Sequence, residues 1–243
     1  LVQERLIDYL RIHMSQAGGL TPCRKIAAMT ESFGVEGRGS FYETVGCLRD
    51  VVQNHLLQLV CILAMDPPVS MDADAIADEK MKVLRSISPL THDSIVRGQY
   101  DGYREEPGVA ADSDVDTYCA LRFEIDSWRW AGVPFFIRVG KRLPKGGTEI
   151  AVQFKSVPPV LFRATGESVD DNVLVIRIQP DEGISLRMCA KMPGSSLRIE
   201  PVKMDFHYGT SFGKATPEAY ERLLLDAMSG DATLFARRDE VEE

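Results

Sequence analysis

The spacing of apolar residues changes part-way along the chain, and this change constrains the fold most strongly. From residue 42 to residue 65 apolar residues recur every three to four positions, as on one face of a helix, and Pro67 and Pro68 stop the pattern. Over residues 117–125 apolar and polar residues alternate instead, as in a strand that is covered on one side. Helices followed by strands indicate an α+β fold rather than alternating βαβ units.

Further strands are expected in the second half of the chain, with a last helix after them. Short connections rich in Gly, Pro and Asp join these strands, and connections of that length favour antiparallel pairing. Helices are expected at 73–84 and at 217–228, where Thr216 is the N-cap. We therefore predict a large, mainly antiparallel β-sheet with helices packed on one face. The expected strands are residues 117–125, 134–139, 149–155, 173–178 and 184–190.

Composition excludes several classes of function. The formal net charge of −8 argues against nucleic-acid or membrane-surface binding, since both need a basic field. No stretch reaches the roughly 18 unbroken apolar residues of a membrane span. The five cysteines are odd in number, widely spaced and free of CxxC pairs, which favours reduced thiols and no metal site. We expect a cytoplasmic protein.

The first predicted helix carries two ionisable residues, Asp50 and His55, inside an apolar run. His55 falls in a gap of the apolar stripe, so its imidazole is expected to point toward the core or a cleft. A neutral imidazole suits general base catalysis near physiological pH. A core histidine with one hydrogen-bond partner explains the same pattern, and Asp50 alone would be a helix-surface charge. The stripe consists of Leu48, Val52, Leu59 and Ile62.

Three stretches of sequence together resemble a known family. They are EGRGSFYETVGCLRDVVQNHLLQ at 36–58, RGQYDGY at 97–103 and FEIDSWRWAGVPFFIRVGKRLPKGGTEI at 123–150. Their residues and their order along the chain resemble the C-terminal part of glucose-6-phosphate dehydrogenase. The resemblance divides the chain into a divergent N-terminal helical segment at 1–30 and a C-terminal substrate and dimerisation domain at 31–243.

The resemblance implies oxidation of D-glucose 6-phosphate to 6-phosphoglucono-lactone with NADP, in the oxidative pentose phosphate pathway. It places the general base at His55, in the QNH motif, and substrate contacts at Glu31, Asp50, Lys141 and Gln179. Such a base contributes on the order of 10²–10⁴ in rate, and buried sugar hydroxyls require polar partners. Taken alone, Lys141 could be a solvated loop lysine, and Glu31 or Gln179 a polar residue at a strand edge.

Two parts of the family pattern have no counterpart in this sequence. No strand, GxGxxG and helix unit is present for a dinucleotide, and the RIDHYLGKE motif, which orients the histidine and holds the substrate phosphate, is absent. The isolated chain is therefore expected to turn over poorly. Three interpretations stay open: part of a longer dehydrogenase that forms a homodimer or homotetramer through its sheet, a non-catalytic homologue that binds a full-length dehydrogenase subunit, or a product with little function.

Overall fold

An eight-stranded sheet organises the part of the chain that the structure describes. The computed structural model describes residues 23–30, 38–144, 146–156, 170–194, 198–213 and 219–242. The strands are β1 (Cys23–Thr30), β2 (Ile95–Gly98), β3 (Tyr118–Glu124), β4 (Pro134–Gly140), β5 (Gly147–Phe154), β6 (Val173–Gln179), β7 (Gly183–Lys191) and β8 (Ile199–His207). Their spatial order is β2-β3-β4-β1-β5-β6-β7-β8. All pairs are antiparallel except β1 with β4, which confirms the predicted α+β class and mainly antiparallel sheet.

The helices lie before and after the main run of strands, as predicted. They are α1 (Gly39–Cys47), a π-helix at Leu48–Leu56, α2 (Leu57–Ala64), α3 (Ala73–Arg85), α4 (Tyr208–Phe212), α5 (Ala219–Ser229) and α6 (Arg238–Glu242). Helix α3 matches the helix predicted at 73–84, and α5 covers most of the helix predicted at 217–228. The predicted N-cap of that last helix, Thr216, lies outside the described residues.

Strand β1 corrects the expectation of a helical N-terminal segment. Cys23–Thr30 pairs in parallel with β4 on one side and antiparallel with β5 on the other. The helical description of residues 1–30 is therefore wrong for 23–30, while residues 1–22 lie outside the described residues. Few β-branched or aromatic residues mark this segment, so the pairing with two neighbouring strands overrides a weak local preference.

One core joins the helical layer to one face of the sheet. Buried Leu56 and Val60 from the helices meet buried Phe123, Ile137 and Val139 from β3 and β4. A second group forms around Ile150 and Val152 of β5, against which Leu59 and Leu63 pack. Each such side chain contributes about 1.5–3 kcal/mol on burial. The larger buried cluster therefore packs the π-helix and α2 against β3 and β4, and helices on one face of the sheet are confirmed.

A buried polar triad fastens the C-terminal helix to this layer. The Nζ of Lys80 in α3 lies 2.9 Å from Oε1 of Gln58 and 3.4 Å from Oε2 of Glu240. Gln58 also donates from Nε2 to the same Glu240 oxygen at 3.0 Å. The Glu240 side chain has no exposed surface. The Lys80–Gln58–Glu240 triad therefore satisfies its own charges and holds α6 against α2 and α3.

Candidate active site

The predicted continuous helix over residues 42–65 is broken at Gly46. This glycine has φ 63° and ψ 180°, so the chain leaves helical geometry there. The next amide, on Cys47, donates to the carbonyl of Asp116 at 2.9 Å instead of to the preceding helical turn. A positive φ favours glycine, and a Cβ at this position would lie 3.3 Å from Cγ1 of Val115. A new helix begins after this break, and it contains the candidate residues Asp50 and His55.

The helix after the break is a π-helix from Leu48 to Leu56, named here the π segment. At its end the amide of Leu57 donates to the carbonyl of Val52, five residues back. Helices of this kind are rare, and short π turns are frequent at functional sites. The π segment contains both ionisable residues of the predicted helix, Asp50 and His55.

The π winding changes which side chains face the core. Relative to an α-helix it accommodates an extra residue, so the inward face passes from Val51 and Val52 to Leu56 and then Val60. His55 is exposed. Its imidazole therefore does not point into the core as expected, because the expected α-helical phase ends where the π segment begins. The alternative, that the imidazole faces a cleft, stays a prediction. The same shift leaves Ile62, expected in the buried stripe, 55 % exposed.

Asp50 is half-buried and lines a cavity of about 300 Å³ between α1, the π segment and α6. His55 is not among the lining residues, but it follows Asn54, which is, and the Asn54 Nδ2 lies 3.5 Å from its Nε2. The lining mixes two carboxylates, a guanidinium and side-chain amides, which suits a ligand with several hydroxyl groups. The lining residues are Phe41, Val45, Arg49, Asp50, Gln53, Asn54, Gln58, Ala236, Glu240 and Val241.

Lys141 directly follows β4 and is 4 % exposed, so it is not a solvated loop lysine. Its Nζ lies 5.6 Å from the ring centroid of Tyr42, a cation–π contact. Burial lowers the pKa of the Lys141 ammonium group. Burial also raises the pKa of the Tyr42 phenol, and the nearby Cys47 and Asp50 add to that rise. The buried Tyr42 ring thus has Lys141 over its face and Asp50 within electrostatic reach.

Two predicted contacts share one end of the sheet. β4 ends beside the last residue of β1, Thr30, and Gln179 at the end of β6 pairs with the start of β5. Lys141 and Gln179 therefore lie at the same end of the sheet, with β1 and β5 between their strands, and Gln179 is exposed there. Glu31, which follows Thr30 in the sequence, lies outside the described residues. None of the described hydrogen bonds or ion pairs joins His55 to Lys141 or Gln179.

Sequence reasoning missed Tyr42 and the polar lining of the cavity. Tyr42 meets Lys141 only through tertiary packing, and no local pattern marks such a pair. Nothing in the sequence distinguishes Arg49 and Gln53 from ordinary polar residues of a helix surface, because α6, which closes the cavity over them, was not predicted. A signal for α6 exists only in the charged run near the C-terminus, which has weak periodicity.

Other kinds of site find no support in the part of the chain that the structure describes. No group of three or more His, Cys, Asp or Glu side chains there could hold a metal ion. No helix among the same residues is long and apolar enough to cross a membrane. Cys47, Cys61, Cys119 and Cys189 are all free thiols, and the first three are buried.

Comparison with known proteins decides the family. A model of the glucose-6-phosphate dehydrogenase C-terminal domain matches residues 25–243. The chain belongs to the glucose-6-phosphate dehydrogenase family. Its sequence is 50 % identical over 228 residues to glucose-6-phosphate 1-dehydrogenase of Chlamydia pneumoniae, which covers 88 % of this chain and 44 % of that protein. The chain thus spans about half the length of the curated relatives that it matches.

Solved structures of glucose-6-phosphate dehydrogenases share the fold. The crystal structure of glucose-6-phosphate 1-dehydrogenase from Mycobacterium avium superposes with a TM-score of 0.82 at 45 % identity, covering 90 % of this chain and 46 % of that one. A glucose-6-phosphate dehydrogenase in complex with its substrate glucose-6-phosphate also gives 0.82, at 41 % identity and with the same coverage. The glucose-6-phosphate dehydrogenase match begins at residue 25, inside β1, so this strand belongs with the matched domain.

Proposed function

We propose that this chain is the substrate-binding and dimerisation part of a glucose-6-phosphate dehydrogenase. The reaction is the oxidation of D-glucose 6-phosphate to 6-phosphoglucono-lactone with NADP, in the oxidative pentose phosphate pathway. The observation that carries the proposal is the π segment, which presents His55 at the surface and Asp50 at a polar cavity within a domain of this family. A related structure that contains glucose 6-phosphate supports the choice of substrate.

Each candidate side chain has a chemical role that its position permits. The exposed imidazole of His55 removes the proton from the hydroxyl on carbon 1. The negative charge that develops on the hydroxyl oxygen then drives the hydride from carbon 1 to the nicotinamide cofactor. Asp50 accepts hydrogen bonds from sugar hydroxyls at the edge of its cavity. Lys141 and Gln179 contact the substrate from the end of the sheet, and Glu31 supplies a further carboxylate acceptor.

The described residues do not provide a site for a dinucleotide. The sheet is mainly antiparallel, and its one parallel pair, β1 with β4, is not part of a strand, glycine turn and helix unit. The family generally uses a nicotinamide cofactor, which accepts the hydride, and we propose NADP as that cofactor. The residues that bind it then lie outside the part of the chain that the structure describes.

The sheet itself offers a surface for self-association. In register with the core residue Ile176 lie Ile184 of β7 and Phe206 of β8, so the three share the face that the helices cover elsewhere. On this face of β7 and β8, Ile184, Val202 and Met204 are 38 %, 41 % and 56 % exposed. We propose that a second copy covers this apolar strip in a homodimer or homotetramer. Buried free thiols agree with a cytoplasmic location.

A fusion tests the proposed function. This chain, from residue 25 onward, is joined to the N-terminal half of the Chlamydia pneumoniae relative, and reduction of NADP is followed spectroscopically with glucose 6-phosphate. We expect turnover that neither half shows alone. The same fusion assayed with unphosphorylated glucose controls for substrate choice. A folded fusion that remains inactive, while the chain co-purifies with a full-length dehydrogenase, would replace this proposal with the non-catalytic alternative.

A further inference from the structure

The π segment determines which side chains share one face of the helix. Asp50 and His55 are five residues apart within it. A π-helix completes a turn in roughly 4.4 residues, so positions five apart are separated by about 50° around its axis. An α-helix completes a turn in about 3.6 residues, which separates the same positions by about 140°. Only the π winding therefore places Asp50 and His55 side by side.

We propose that the π winding of Leu48–Leu56 is the device that brings the carboxylate of Asp50 and the imidazole of His55 to one substrate. The inference rests on the proposed function and adds a positioning role for the backbone of the π segment. The burial pattern supports it independently, because Val51, Val52 and Leu56 remain buried while His55 is exposed. The extra residue thus keeps the side of the helix that carries Asp50 and His55 apart from the side that packs in the core.

The hydrogen-bond pattern can be measured on the unaltered chain. Scalar couplings across hydrogen bonds, measured by nuclear magnetic resonance, connect each amide to the carbonyl that accepts it. We expect the Leu57 amide to couple to the carbonyl of Val52. A coupling to Gln53, four residues back, would mean an α-helix and would overturn the proposal without any substitution.

A copper probe measures whether the two side chains lie side by side. Asp50→His provides a second imidazole next to His55, and paired imidazoles bind the two open positions of copper(II) iminodiacetate. We expect the variant to bind this chelate at least about tenfold more tightly than Asp50→His combined with His55→Ala, because the second ligand acts at high effective concentration. Equal affinities would show that the two positions face apart.

Two single-residue deletions then test whether activity needs Asp50 and His55 on the same side of the helix, rather than a helix of any kind. Deleting either exposed residue, Arg49 or Gln53, removes one residue and favours α winding, and each deletion also removes one side chain to backbone hydrogen bond. Deletion of Gln53 leaves Asp50 and His55 four residues apart, about 40° around an α-helix. Deletion of Arg49 leaves them five apart, about 140° around the axis.

We expect the deletion of Gln53 to retain copper pairing in the Asp50→His background and the deletion of Arg49 to lose it. In the active fusion, the deletion of Arg49 is expected to lower kcat by on the order of 10²-fold more than the deletion of Gln53. Equal losses in an otherwise active fusion would overturn the positioning role while leaving the proposed function intact. An inactive unaltered fusion would instead refute the proposed function, and the copper and coupling results would still decide the geometry.

Discussion

At the residue scale, Glu43 of α1 connects the helix to the loop that follows β2. Its Oε1 accepts hydrogen bonds from the hydroxyl of Tyr103 at 2.8 Å and from the hydroxyl of Ser113 at 2.5 Å. Desolvation raises the pKa of Glu43, but the hydrogen bonds from Ser113 and Tyr103 outweigh it and hold the pKa below its ordinary value of 4.5. Glu43 therefore braces the helix that leads into the π segment.

This contact predicts a pH-dependent stability. Because the folded-state pKa is lowered, the unfolded chain binds the proton more readily, so the contribution of Glu43 is present above pH 4.5 and is lost as the pH falls through the folded-state pKa. Glu43→Gln cannot titrate. We expect the difference in unfolding free energy between the unaltered chain and Glu43→Gln to shrink as the pH falls below 4.5, measured by urea unfolding. Glu105→Gln controls for the loss of one surface carboxylate, and a difference that stays constant with pH would refute the role of Glu43.

At the element scale, the break at Gly46 separates α1 from the π segment. Gly46→Ala is expected to destabilise the fold by about 1–2 kcal/mol, because an L-residue is strained at positive φ. Gly98→Ala is the matched control, since a Cβ at Gly98 meets nothing within 4 Å. The two unfolding free energies are compared by urea titration. Equal effects of the two substitutions would mean that the backbone conformation at Gly46 is not required.

The Lys80–Gln58–Glu240 triad is expected to stabilise the packing of α6 on α2 and α3. Glu240→Ala leaves the Lys80 ammonium buried without its carboxylate, which is expected to cost about 3–5 kcal/mol of unfolding free energy. Lys80→Met combined with Glu240→Leu removes both charges and is expected to recover most of that loss. Chemical unfolding of the two variants measures the difference. A double variant as unstable as the single one would show that the triad contributes through packing alone.

At the scale of the whole molecule, local patterns predicted the fold where they were strong. The alternation over Tyr118–Glu124 predicted β3, and the short connections predicted antiparallel pairing. Strand β1 was missed because two neighbouring strands stabilise it, rather than its own residues. The phase of His55 was missed because Leu48, Val52, Leu59 and Ile62 fit an α-helical stripe, whereas the buried face runs through Val51, Val52, Leu56 and Val60. A tertiary hydrogen bond, from the Cys47 amide to the Asp116 carbonyl, directly precedes that winding.

The proposed self-association predicts that a charge in the apolar strip of β7 and β8 weakens the contact between two copies. Val202→Lys introduces a charge into the exposed apolar strip of β7 and β8, and we expect it to shift sedimentation toward the monomer. Val69→Lys makes the same substitution at a 96 % exposed position in the loop before α3 and is expected to leave sedimentation unchanged. Dissociation by both variants, or by neither, would exclude this strip as the interface.

We propose that His55 is the base that this chain contributes to glucose 6-phosphate oxidation. Steady-state kinetics of the His55→Asn fusion test this role, with His92→Asn, the same substitution at an exposed histidine just before β2, as the control. We predict that His55→Asn lowers kcat on the order of 10²–10⁴-fold while KM for glucose 6-phosphate stays within about threefold. If His55→Asn retains most of kcat, another group removes the proton and His55 is not the base.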